Sequence, residues 1–352
     1  AQGYTTLSIG KIYHASNDDF PRGWSEKPLR GLGPAYASPA GMAASTKARR
    51  IQRETGVRTN GPASENGGDV SDDAYNDGMV AKTAVERMKK LASSNAPFFL
   101  AVGFNKPHLP FNAPKKYWDL YDRSKIKVPS RNKAINGLPY DGSSWGELKN
   151  YSDISKKTKR LDDAKTRELI HGYRASVSYM DAQIGRLIKG LEENGLAKNT
   201  IVVLWGDHGW HLGEHSIWGK HALFEESLRS PLIISYPGIQ NPGKLSHSMV
   251  ETIDIFPTLT ELAGLPKPKY SDGVSIVPIL NSPTAPGHHA YGYFSKGYGK
   301  TIRTETHRMI AHEDGYIELY DHRTLQGETR NVAEEQPKLV KDLLAKIATR
   351  FE

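Results

Sequence analysis

The sequence predicts an α/β fold: a mostly parallel, doubly wound sheet flanked by helices, followed by a small α+β subdomain carrying an antiparallel sheet. Three observations predict it. Short β-branched or aromatic runs alternate with helical stripes over residues 1–285. Each of those runs closes on Gly, Pro or Asn, as buried strands do. After Pro286 the pattern changes to short strands joined by tight turns, so residues 286–352 are expected to form a separate subdomain.

Four runs read as parallel-type strands: residues 5–9, 98–104, 200–205 and 231–236. The strongest helix signal covers 166–194, where Leu169, Tyr173, Val177, Met180, Ile184, Leu187, Ile188 and Leu191 recur at spacings of three and four. Gly195 follows as a helix-ending residue. A second helix over 73–92 buries Val80, Ala84, Met88 and Leu91. A third, over 256–262, has Pro257 in its first turn and Gly264 beyond its end. Residues 21–70, rich in Gly, Ala, Pro and Arg, and 122–160, rich in Lys, Asn and Ser, show no such period. Long loops of this kind are expected either to shape a substrate cleft or to be surface insertions. In the last part, "HAYGYFS", "KTIRTETHRMIAH" and "GYIELYDH" read as antiparallel strands, and Leu339, Val340, Leu343, Leu344 and Ile347 as the apolar face of a closing helix.

Composition bounds the function. With 352 residues, 38% hydrophobic and 24% charged, the chain can bury a full core. No apolar run approaches the roughly 20 residues of a membrane span. No signal peptide is visible, and a strand directly after a non-Met start implies that the sequence begins inside a longer protein. The absence of Cys excludes disulfides and thiolate metal sites within these residues. A net charge of +8 suits an anionic substrate or plain solubility. Lys and Arg are not interleaved with aromatics along one face, so nucleic-acid binding finds no support.

The polar groups suited to chemistry recur at one topological place, the ends of strands. The first strand runs into Lys11 and His14, the second into Lys106 and His108 of "NKPHLPF", and the third into Asp207 and His208, with Lys220 in the same loop. Were the strands parallel neighbours, these groups would converge on one sheet edge, where ligands of open α/β folds bind. An acid and an imidazole suit a metal, lysines suit a tetrahedral oxyanion, and histidines suit proton transfer. Plainer readings stand beside these. Asp207-His208-Gly209 is compatible with a turn, Lys11 with a solvated strand end, and His108 with a rigid turn between prolines. His211 and His215 have the four-residue spacing of zinc ligands, but Gly209 and Gly213 oppose a helix there, so Glu214 and His215 read first as loop-fixing residues and second as ligands. His171 reads as an ordinary helix-face histidine. "GGDVSDD" lacks the spacing of a calcium loop.

The segments "GYTTLSIGKIYH", "PFFLAVGFNKPHLPF", "YRASVSYMDAQIGRLIKGLEENGLAKNTIVVLWGDHGWHLGEHSIWGK", "SPLIISYPG" and "ELYDHRTLQGETRNVA" together resemble a formylglycine-dependent sulfatase of the alkaline phosphatase superfamily, most similar to its iduronate sulfatase branch. The resemblance implies that residues 1–285 are the catalytic domain and that Asp207 and His208 bind a divalent cation, Ca2+. It implies that Lys11 and Lys220 hold sulfate oxygens, that His14 stands beside the nucleophile, and that His108 protonates the leaving oxygen. His211 receives no role from it. One departure matters: no Cys or Ser here stands in a Cys/Ser-x-Pro-x-Arg motif, and Asp18-Asp19, Asp72-Asp73 and Asp162-Asp163 follow no strand. The nucleophile and two further metal-ligand Asp residues are therefore expected on an N-terminal segment outside this sequence, which resembles the C-terminal two-thirds of a sulfatase. The implied activity is hydrolysis of a sulfate ester on a saccharide or polysaccharide, in the periplasm or outside the cell. The alternatives are a phosphate or phosphonate monoester hydrolase, and a non-catalytic homologue that binds sulfated glycans.

Overall fold

The computed structural model describes residues 2–14, 19–94, 96–129, 145–158, 160–267, 269–294 and 299–351. Its contacts divide the chain into two compact units, Ala1–Val128 with Gly146–Lys198 and Pro129–Trp145 with Asn199–Glu352.

The first unit runs β1 (Thr5–Gly10), α1 (Pro39–Thr55), β2 (Ser64–Asn66), α2 (Asn76–Ala92), β3 (Phe98–Gly103), β4 (Phe111–Ala113), α3 (Lys115–Trp118) and α4 (Asp163–Glu193). β1 and β3 pair in parallel, from Thr5 opposite Phe98 to Gly10 opposite Gly103. Of the two helices in the connection between them, α2 packs on the strand pair. Its Val80 and Ala84 pack with Ile9, Leu100, Val102 and, from α4, Leu187. All four expected core residues of α2 are buried.

α4 begins earlier than the apolar stripe predicts because Asp162 caps it, accepting from Lys165 N at 2.7 Å. It ends where expected, with Gly195 at φ +69. Its buried face differs from the stripe, however. Val177 and Ile188 are exposed, while Ala175, Tyr179 and Gln183 face the core. The cause is a polar seam: Tyr179 OH donates to Asp72 O at 2.8 Å, and Gln183 Nε2 to Asp72 Oδ2 at 3.2 Å. Satisfied polar groups can occupy a core face that apolar periodicity would assign elsewhere.

Residues 21–70 are not all loop, since α1 lies within them. Ser38 caps it, accepting from Gly41 N at 2.9 Å, and Gly56 closes it at φ +70. α1 buries only Gly41 and Ala48, so it carries no apolar stripe to detect. Glu65 holds its start, accepting from Ala37 N at 2.8 Å, Ser38 Oγ at 2.6 Å and Tyr75 OH at 2.8 Å. Of the other irregular stretch, 130–144 and 159 lie outside the described residues.

The second unit runs β5 (Val202–Trp205), β6 (His211–Leu212), β7 (Trp218–Gly219), α5 (Glu225–Leu228), β8 (Leu232–Ser235), α6 (Ile255–Leu262), α7 (Val277–Asn281), β9 (Ala290–Phe294), β10 (Gly299–Arg303), β11 (His307–Ala311), β12 (Ile317–Asp321) and α8 (Pro337–Phe351). β5 and β8 are antiparallel, with Trp205 opposite Leu232, which corrects the expectation of parallel strands. The connection between them holds only the β6–β7 hairpin and the four-residue α5, and no crossover helix that a parallel return needs. Gly206 N donates to Pro231 O at 3.1 Å where the chain comes back.

β9 to β12 form a four-stranded antiparallel sheet in sequential order. The segment 300–312 is two strands, broken at a turn where Thr304 N donates to His307 O at 2.8 Å. α8 covers this sheet by packing Leu343 and Ile347 against Ile302, Met309 and Leu319. Among the described residues, no helix is long and apolar enough to cross a membrane.

Candidate active site

In the first unit, the carboxyl ends of β1 and β3 lie side by side because the pair is parallel. Two glycines make that edge tight. A Cβ on Gly10, which sits at φ +81, would meet Gly103 O at 2.0 Å, and one on Gly103 would meet Lys11 O at 1.9 Å. Lys11 N donates to Gly103 O at 2.8 Å across the same edge. Lys11 is thus fixed at the end of β1, half-buried, and His14 follows it exposed.

The segment after β3 is held by Asp77 of α2, only 1% exposed, which accepts from Asn105 N at 3.1 Å and Lys106 N at 2.8 Å. His108 N donates to Asn105 O at 3.0 Å, completing the turn. Lys106 Nζ donates to Pro110 O, and burial pushes its amine down to about 8 against the opposing pull of Asp77 and Glu65. Lys106 is therefore a brace for this turn. The His108 ring projects between two acceptors: Nδ1 lies 3.0 Å from Leu109 O, and Nε2 lies 3.4 Å from Glu147 Oε2. Both ring nitrogens thus face protein oxygens, which fixes the plane of the ring. Sequence reasoning missed both Asp77 and Glu147, since a carboxylate that recruits partners from distant segments leaves no spacing signal.

In the second unit, Asp207 and His208 follow the end of β5. His208 Nδ1 lies 2.7 Å from Gly209 O, a carbonyl that can only accept, so in the neutral ring the proton sits on Nδ1. Nε2 then carries the lone pair, 3.8 Å from Asp207 Oδ1. Gly209 is required at the next position: its N donates to Ser227 O at 2.7 Å, and a Cβ there would meet Glu226 O at 1.9 Å. Trp210 is the neighbour that His208 and Lys220 share. Its ring centroid is 6.3 Å from that of His208, and Lys220 Nζ stands 5.4 Å from it in a cation–π contact.

The remaining candidates resolve as follows. His171 is buried, with Nε2 2.7 Å from Trp118 O and Nδ1 accepting from Arg123 Nε at 3.2 Å, so it is a core histidine. Asp72 is held by Lys116, Tyr117 and Gln183, and Asp162 is a helix cap. His211 and His215 lie on no common helix, yet both rings turn to one carboxylate oxygen, Glu226 Oε2, at 3.5 and 3.9 Å.

The sulfatase family profile matches residues 1–265, and a profile described as N-sulphoglucosamine sulphohydrolase, C-terminal, matches 213–352. The chain belongs to the sulfatase family. Iduronate 2-sulfatase of Mus musculus is 32% identical to it over 301 residues, covering 76% of this chain and 53% of that protein. A sulfatase of Formosa agariphila is 31% identical over 341 residues, covering 94% of this chain and 64% of that one. This sulfatase-family chain thus spans about half to two-thirds of the length of these two relatives. A phosphonate monoester hydrolase from Silicibacter pomeroyi has the same fold, at TM-score 0.70 and 22% identity over 99% of this chain and 77% of that one.

Proposed function

We propose that this chain is part of a sulfuric ester hydrolase that removes sulfate from a sulfated saccharide or polysaccharide. The observation that supports the reading is the parallel pairing of β1 and β3, whose carboxyl ends lead into the segments that carry Lys11 and His108, in a chain of the sulfatase family. In this reading Lys11 and Lys220 hold the sulfate oxygens. Their charge opposes the negative charge that grows on those oxygens as the ester bond breaks. His108 delivers a proton to the departing sugar oxygen, and Glu147 with the Leu109 carbonyl keeps its ring turned for that transfer. His14 is the acid–base group beside the nucleophile.

Asp207 and His208 are the proposed holders of a divalent cation, with Ca2+ the proposed identity. The donors fit such an ion: a hard, exposed carboxylate stands 3.8 Å from an imidazole nitrogen whose partner nitrogen is already committed to a carbonyl. When bound, the ion would supply positive charge for the sulfate and the nucleophile. The nucleophile itself, a formylglycine, and two further Asp ligands are proposed to reside on a segment outside residues 1–352. Residues 1–285 would form the catalytic domain and 286–352 its C-terminal subdomain. Action in the periplasm or outside the cell is proposed from membership of the sulfatase family.

Matched sulfate and phosphate monoesters of one sugar, assayed on the full-length protein, test the reading. It expects the larger kcat/KM on the sulfate. A larger value on the phosphate would transfer the protein to phosphate or phosphonate monoester hydrolysis. Binding of sulfated glycan with no turnover of either ester would make it a non-catalytic homologue.

A further inference from the structure

Residues 47–58, the second half of α1 and its exit, carry Lys47, Arg49, Arg50, Arg53 and Arg58 against one carboxylate, Glu54. Five positive charges less one negative give +4, half of the +8 of the whole chain. All five cations are exposed. Among the described residues, the one ion pair of this stretch joins Arg50 Nε to Glu54 Oε1 at 3.8 Å, between side chains 65% and 64% exposed. Such a pair contributes little. At about 100° per residue, Arg49, Arg53, Arg50 and Lys47 fall in that order within roughly 160° of the helix circumference, opposite Gly41 and Ala48, its two buried residues. Helix stability does not account for this face. Arg49 and Arg53 are like charges four positions apart, which oppose the helix. The helix dipole favours a cation in the last turn, where Arg53 lies, but not Lys47 or Arg49.

Both ends of α1 are tied to the segments on either side of His108. At its start, Glu65 accepts from Ala37 N and Ser38 Oγ, and Glu65 stands opposite Asn112 of β4, the strand that follows the His108 turn. Asn112 Nδ2 in turn donates to Ala35 O at 2.7 Å. At its end, Asn60 N donates to Asn150 O at 2.7 Å, and Ser152 N to Gly61 O at 3.1 Å. That second segment carries Glu147, whose carboxylate faces the His108 ring. Arg58 and Glu147 act on the same buried phenol, that of Tyr151: burial and Glu147 raise it, and Arg58 opposes them. The basic face is thus continuous, through Arg58, with the surroundings of His108.

We propose, resting on the sulfated-polysaccharide reading of the substrate, that the basic face of α1 together with Arg58 is a docking surface for the sulfate groups of that polymer which do not react. Charge complementarity is one support, since guanidinium groups match the oxygens of tetrahedral anions. Position is the other. The polymer is the leaving group in this reading, so the sugar units next to the cleaved ester extend from His108, where α1 is anchored. Contacts remote from the reacting sulfate hold ground state and transition state alike, so they lower KM and leave kcat unchanged.

The test compares the full-length protein with a triple variant, Lys47→Gln, Arg49→Gln and Arg53→Gln. A control, Lys338→Gln, Lys341→Gln and Lys346→Gln, removes the same charge from exposed positions of α8. Binding to heparin and to dextran sulfate, measured near physiological ionic strength, should weaken about 10-fold in the α1 variant and by less than about 2-fold in the control. On the sulfated polysaccharide that the parent desulfates, the α1 variant should raise KM by about 10-fold at unchanged kcat, and its kcat/KM on nitrophenyl sulfate should equal that of the parent. No binding of either polymer by the parent, or equal binding by parent and α1 variant, would overturn the proposal. Equal weakening by the two variants would reduce the effect to net charge and overturn it as well. So would parent binding of duplex DNA or phosphatidylserine vesicles as tight as that of the sulfated polymers and lost in the same variant, which would make this a general polyanion surface. The binding measurements need no turnover: selective loss in the α1 variant of a protein that hydrolyses no ester would support the docking surface while removing the hydrolase reading.

Discussion

Glu147 Oε2 lies 3.4 Å from His108 Nε2, on the opposite side of the ring from the Leu109 carbonyl that receives Nδ1. The two partners come from segments 39 positions apart, read from the residue numbers 108 and 147. Glu147 is therefore a positioning residue for the imidazole. Glu147→Ala should lower kcat on a sugar sulfate by about 10-fold, less than the 100- to 10,000-fold typical of losing a general acid outright. The loss on nitrophenyl sulfate, whose leaving group needs no proton, should be smaller still. Equal losses on the two substrates would remove Glu147 from this role.

Asp207 stands exposed at the end of β5, beside a His208 nitrogen whose ring is already oriented by Gly209 O. Asp207→Ala in the full-length protein should abolish stoichiometric calcium, measured by elemental analysis, and with it turnover. Because the side chain is exposed, the thermal midpoint of the metal-free protein should not move. Unchanged calcium content in this variant would take Asp207 out of the metal site.

The C-terminal sheet is joined to α5 through Arg308, which is 2% exposed and pairs with both Glu328 and Glu225. Burial alone would raise Glu328, but Arg308 and His322 outweigh it and hold the carboxyl at about 2, below the ordinary 4.5. Between those values the unfolded chain binds a proton that the folded chain does not. This contribution to stability is therefore present above pH 4.5 and is lost as pH falls through about 2. Glu328→Gln should flatten the acid limb of thermal stability in that window. Arg308→Met leaves a buried carboxylate uncompensated and should cost about 3–5 kcal/mol at neutral pH. A Glu328→Gln curve parallel to that of the parent below pH 4.5 would contradict the assignment.

What the sequence made legible was whatever repeats with a period or sits at a strand end. The α2 face of Val80, Ala84, Met88 and Leu91 was readable because all four are apolar and buried. α1 was not, because its fold is set by the Ser38 cap and by Glu65 and not by an apolar stripe. The α4 stripe misplaced Val177 and Ile188 because Tyr179 and Gln183 bury polar groups against Asp72. The sense of β8 was illegible for a different reason. Strand patterns carry no direction, and only the lack of a crossover helix after β5 decides it. At the candidate site, Lys11, His108, Asp207 and His208 were legible as polar residues that follow apolar runs. Asp77, which holds the Asn105–Lys106 backbone, and Glu147, which faces the His108 ring, act across long sequence separations and leave no local mark.

The central claim is a division of labour at the carboxyl edge of β1 and β3, with Lys11 gripping sulfate and His108 protonating the leaving oxygen. The most direct measurement is kcat/KM for Lys11→Ala and His108→Ala on a sugar sulfate and on nitrophenyl sulfate. Lys11→Ala should weaken both substrates alike, because both present the same sulfate. His108→Ala should lose about 100- to 10,000-fold on the sugar sulfate and far less on the nitrophenyl ester, which leaves without a proton. Equal losses for His108→Ala on both substrates would contradict the account and make His108 a sulfate-orienting or loop-supporting residue.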